Sequence, residues 1–205
     1  MYDDVWLDFG DDYVSMGTYI ELNQNGIIGG ELVTLNTSTA KISGGTIGEN
    51  IGAVGDSKVE IISGTILGSV FAEGNSLVEI FGSSIVGKLS ARVEGTIKLS
   101  GGVIEDIFEV WHGGVIELHG SNFSVGGENL IPGDSLRDFG TLELLGFGDP
   151  FYTGIITGTL SDGTELNNYF MISDFEDGDI VIVPEPATLT LFITGLGALA
   201  MNRKA

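Results

Sequence analysis

The chain of 205 residues contains no cysteine. That absence removes disulfide frameworks, thiolate catalysis and cysteine-ligated zinc together, and it leaves export open, since exported proteins can dispense with thiols. Basic residues are scarce: 8 Lys and Arg stand against 29 Asp and Glu, a net charge of −21. So acidic a surface repels phosphate backbones, which excludes nucleic acid as a partner. Solubility is the plainest use of the charge. A secretory leader is missing as well. "MYDDVWLDFGDDYVSMG" is acidic where a leader is basic, and it has no apolar core. The expectation is a chain that stays inside or one whose start has been lost, and the far end has to decide.

Glycine is what the chain has in excess, with 33 residues in a sequence that is 42% hydrophobic. Glycine is disfavoured within regular elements and favoured at tight corners, so the pairing predicts many short strands joined by turns. The length predicts one domain with a small appendage.

The strands repeat. From Thr39 the chain divides every 19 residues without an insertion: "TAKISGGTIGENIGAVGDS", "KVEIISGTILGSVFAEGNS", "LVEIFGSSIVGKLSARVEG", "TIKLSGGVIEDIFEVWHGG" and the partial "VIELHGSNFSV". Five apolar columns run down these copies. They are Ala40/Val59/Val78/Ile97/Ile116, Ile42/Ile61/Ile80/Leu99/Leu118, Ile47/Ile66/Ile85/Ile104/Phe123, Ile51/Val70/Leu89/Phe108 and Ala53/Ala72/Ala91/Val110. The first two columns lie two residues apart, as do the last two, which is strand alternation with one face buried. Gly44-Gly45, Ser63-Gly64 and Gly101-Gly102 mark one corner; Gly55-Asp56-Ser57 and Gly74-Asn75-Ser76 mark another. A copy this short cannot build a core alone, so copies must stack.

The expectation is an all-β fold: a parallel β-helix, right-handed by the crossover preference, rising ~4.8 Å per coil. Between the first two columns the outward residues read Lys41, Glu60, Glu79, Lys98 and Glu117, which predicts opposite-charge contacts for Lys41–Glu60, Glu79–Lys98 and Lys98–Glu117. "YIELNQNGIIGGELVTLNTS" fits the template with one extra residue, so the helix is assigned to 19–125. Residues 1–18 form an N-terminal cap or a truncated edge, because an open end needs covering. Residues 126–182 lose the period and read as a small antiparallel cap, with a hairpin at Asp162-Gly163.

Candidate chemistry is thin. His112 and His119 lack a carboxylate cluster, so they are not assigned as metal ligands, and His112 with Trp111 reads as cover for a face of the rod. Glu105, Asp106 and Glu109 make an acidic corner, with Lys88 above Ile107 and Arg92 above Trp111 one coil earlier. Polysaccharide lyases built as β-helices place an acidic calcium site beside a basic residue. Here no such constellation is evident, so no catalytic residue, metal site or cofactor is assigned and an enzyme is not expected. The column Thr39, Lys58, Leu77, Thr96, Val115 is no ice-binding threonine array.

Residues 183–205 differ from everything before them. Val183-Pro184-Glu185-Pro186-Ala187-Thr188 opens an uncharged run that closes on Arg203 and Lys204. The run is shorter than the ~20 residues that span a bilayer, and it is apolar on every side, which does not suit a core helix. The order of these three parts resembles the PEP-CTERM sorting signal of Gram-negative bacteria that make exopolysaccharide, although the basic cluster of two is thin. The resemblance implies a C-terminal hydrophobic helix that holds the chain transiently in the inner membrane. It also implies removal by an exosortase-type processing enzyme that recognises Pro184-Glu185-Pro186. Export of that kind needs a leader, so the expectation becomes a mis-assigned or truncated start. The resulting expectation is an exported structural or adhesive protein of the cell surface or exopolysaccharide matrix. The alternative is a β-helix that binds or cleaves polysaccharide.

Overall fold

The structure, a computed structural model, describes residues 5–7, 17–144, 149–175 and 177–184. Among them there is no α-helix, only a single 3₁₀ turn at Leu136–Asp138, capped by the Ser135 hydroxyl accepting from the Arg137 N–H. The hydrophobic helix expected at the C-terminus falls outside the described residues. The chain is a β-solenoid of about five turns.

Each copy lays down three strands that pair in parallel with the same strands of the coils on either side. The first face runs through Ala40, Val59, Val78, Ile97 and Ile116 in unbroken register. The second face aligns Ile28, Ile47, Ile66, Ile85 and Ile104. The third aligns Leu32, Ile51, Val70, Leu89 and Phe108. All five apolar columns point inward, and most members are fully buried. Burying one such side chain contributes up to ~1.5–3 kcal/mol, so the stacked columns are the main source of stability. The reason is the spacing: one residue of slip would turn every aliphatic side chain to water.

Outward pairs follow the same register with one difference. Lys41–Glu60 and Lys98–Glu117 form, at 3.6 and 3.3 Å. Glu79 does not reach Lys98; it pairs diagonally with Lys58 at 2.6 Å. Lys98, directly opposite Glu79, is engaged by Glu117, and the long Lys58 side chain, which faces Leu77 across the ladder, reaches Glu79 diagonally.

Both ends differ from a simple stack. At the start, Val5–Leu7 pairs in parallel with Leu32–Thr34 and so adds a rung to the third face. At the far end the chain does not go on to build the second face after Leu118 of the first; instead Gly120–Val125 runs antiparallel to Ile156–Leu160. Pro150–Leu160 and Glu165–Ser173 form a hairpin whose turn holds Asp162 and Gly163. The Asp162 carboxylate accepts from the Gly102 N–H at 2.9 Å, and its N–H donates to the Ser100 carbonyl. The hairpin tip therefore takes the place that the next coil would have filled.

The rod does not stop at Val125. Phe170 and Ile172 pair in parallel above Phe108 and Val110, while Ile180 and Ile182 pair above Ile116 and Leu118. All four are buried. The C-terminal region thus contains two further rungs of the solenoid, interrupted by the hairpin.

Candidate functional site

Residue types alternate along the outward column of the third face. The column reads Gly52, Phe71, Ser90, Glu109 and then Met171. A Cβ on Gly52 would overlap the Phe71 ring, so that ring lies back over the glycine of the preceding coil. Glu109 does the same over Ser90, whose hydroxyl donates to its carboxylate at 3.1 Å. Small residues make room, and large ones lean toward the N-terminal end.

Glu109 is thereby buried to 6% exposure. A carboxylate so covered needs partners. Lys88 supplies the first, with Nζ 2.7 Å from Oε2, and Arg92 Nη2 lies 3.9 Å from the same oxygen. Arg92 Nε donates to Ser90 Oγ at 2.8 Å, which closes a four-residue network. The sequence reading grouped Glu109 with Glu105 and Asp106 and found no convergence with the bases. The structure separates them. Glu105 and Asp106 are exposed on the corner between the second and third faces, where the Asp106 carbonyl accepts from Asn168. Two coils are needed to bring Lys88 and Arg92 onto Glu109, and a copy read in isolation hides that.

Lys88, Arg92 and Glu109 of this network line an open groove of about 410 Å³, together with Glu73, Val93, Trp111 and His112. Trp111 is half-buried, held edge-to-face by Phe151 of the hairpin at 4.9 Å. The far wall comes from a change in the corner. At the third-to-first corner, 39–57 and 58–76 end in Gly-Asp-Ser and Gly-Asn-Ser. Ser57 and Ser76 are buried there and donate to the Thr34 and Ala53 carbonyls. The next copies end in Val93-Glu94-Gly95 and His112-Gly113-Gly114. Val93 (φ 45°), Glu94 (φ 66°) and His112 (φ 47°) adopt the left-handed conformation that Gly55 and Gly74 hold in the earlier coils. For a β-branched residue this is strained, and such strain gathers at functional sites. Where the corner overlooks the groove, glycine has been replaced by side chains.

The remaining candidates lie elsewhere. His119 sits on the first face, 3.4 Å from Glu117 and apart from His112. Val183 and Pro184 end the last described strand, paired with His119 and Gly120. Glu185, Pro186, Ala187, Thr188, Arg203 and Lys204 lie outside the described residues. Among the described residues no three of His, Asp and Glu gather as a metal cluster, and no helix is long and apolar enough to cross a membrane.

The second face is the other notable surface. Stretches 42–48, 61–68, 80–87 and 99–104 carry no charge, and Ile62, Leu67, Phe81, Val86 and Val103 are exposed there. It offers few groups that could orient a ligand, so the chemistry is concentrated on the third face. No family model matches the chain, and no curated protein or solved structure matches it either.

Proposed function

We propose that this is an exported structural or adhesive protein of the cell surface or exopolysaccharide matrix, sorted by its C-terminal segment. The observation that carries this reading is the junction. Among the described residues the chain is paired into the ladder as far as Pro184, the first residue of Pro184-Glu185-Pro186, so the sorting motif begins directly on the solenoid. A processing enzyme of the exosortase type acting at that motif would act next to the folded rod. The ladder suits a load-bearing role, because each coil is hydrogen-bonded to its neighbours and the acidic faces keep separate copies apart. Right-handed winding belongs to the same reading, on the crossover preference alone.

The test is deletion of Pro184 to Ala205 in the producing cell. The expected outcome is a changed site of accumulation; unaltered localisation rejects the sorting role. A second reading is favoured by one specific observation, the third-face groove, where acids, bases and an indole converge as a polysaccharide site requires. Incubation with acidic polysaccharides, followed by absorbance of unsaturated products, separates cleavage from binding. A clear signal would make the protein a lyase and displace the structural role.

A further inference from the structure

We infer that the third-face groove is a binding subsite for a neutral glycan, one whose pyranose rings carry adjacent free hydroxyls. The inference rests on the polysaccharide-facing reading and narrows it to a site and a class of sugar.

Three observations lead there. The first is the pairing of donors and acceptors. Lys88 and Arg92, 33% and 40% exposed, present N–H donors beside the carboxylates of Glu73 and Glu109. Glu73 lies in register with Arg92, one coil earlier. A sugar hydroxyl both donates and accepts, so neighbouring hydroxyls are matched by a carboxylate next to an ammonium or guanidinium. The second is the indole. Trp111 offers an apolar surface for the C–H face of a ring, and Phe151 holds it in place. A groove of about 410 Å³ is within the usual range for ligand sites, about 300–1,000 Å³.

The third is charge, and it decides between neutral and acidic sugars. Two cations and two carboxylates line the groove, so the site has no excess of positive charge to offer. Around it the chain carries −21, a field that repels polyanions. A uronate polymer would meet neither local attraction nor long-range steering. A neutral chain meets no such barrier. The strained corner fits as well: Val93 and His112 wall the groove where glycine would have served the backbone better.

The test uses the 205-residue chain carrying Trp6→Phe, which leaves Trp111 as its sole indole emitter. Cellohexaose, maltohexaose and mannohexaose form the neutral arm, and hexameric oligogalacturonate forms the acidic arm. The expected result is a saturable change in Trp111 emission with at least one neutral hexasaccharide, unaltered by raising the salt concentration. Arg92→Ala should weaken it at least tenfold, while Lys41→Ala on the first face leaves it unchanged. Because Trp111→Ala loses the Phe151 contact, binding by that variant is followed calorimetrically with circular dichroism as the folding check. Saturation by oligogalacturonate alone, binding indifferent to Arg92→Ala, or no response to any neutral sugar overturns the inference. None of these outcomes touches the tail-deletion result, so the subsite and the sorting reading fail separately.

Discussion

Gly95→Ala sets the repeat against the structure. Aligning the copies places Gly95 in the column of Ser57 and Ser76, so averaging the copies would favour a side chain at this position. Replacing glycine by alanine usually stabilises as well, by about 0.4–1 kcal/mol, because the unfolded chain loses freedom. The structure predicts the reverse. A Cβ on Gly95 would lie 2.7 Å from the Glu73 nitrogen and closer still to the Ala72 carbonyl group. These are backbone atoms of the coil below and cannot rotate away. Relief requires the two coils to part locally, which loosens the ladder on both sides. Overpacking of this kind costs about 1–3 kcal/mol, and rigid backbone places it at the upper end. After the unfolded-state gain is subtracted, the expected loss is about 2 kcal/mol. For a chain of this size that corresponds to a fall in Tm of about 4–8 °C. Gly114→Ala meets the Ala91 carbonyl and the Arg92 nitrogen in the same way, and should behave alike. Differential scanning calorimetry of the three proteins decides the matter. An unchanged or raised Tm for Gly95→Ala would show that the corner is set by local preference and not by the approach of the coil below.

The other predictions concern the groove corner and the cap. Val93→Gly relieves a left-handed strain of about 1–2 kcal/mol against about 0.5–1 kcal/mol of extra chain entropy, so thermal melts should show a net gain of about 0.5–1 kcal/mol. For Asp162, partial burial works to raise the carboxyl pKa, but hydrogen bonds from Thr164 and Gly102 outweigh it and hold the value below the usual range. The stabilisation is therefore present above the ordinary carboxylate pKa and lost as pH falls through the lower, folded value. Asp162→Ala should cost about 1 kcal/mol at pH 7, discounted for exposure, and the gap from wild type should close in acid melts. Asp179 has the opposite sign: burial raises its pKa, despite hydrogen bonds with Ser135 and Ile180 and the nearby Arg137 charge. Its charged form penalises the fold above the raised pKa, and the penalty vanishes in acid. Asp179→Asn should raise the Tm at pH 7 and leave it unchanged near pH 3.

The sequence by itself determined the ladder. A two-residue spacing of aliphatic columns, recurring every 19 residues, leaves one way to hide every column at once, and Ala40 to Ile116 lie where that spacing puts them. It also marked the hairpin through Asp162-Gly163. Only the tertiary structure decided the rest, because the rest depends on contacts between coils. The two closing rungs were missed, although "FMI" and "GDIVIV" imitate "FEV" and "GGVIEL"; the intervening hairpin broke the period that made the earlier copies visible. The groove was missed for a similar reason. Lys88, Arg92 and Glu109 are up to 21 residues apart in the chain and become neighbours only when one coil is laid upon the next. Ser90 then leaves a gap just large enough for a carboxylate to lean into. A repeat fixes which side chains point inward. What the outward ones meet is settled by the stacking.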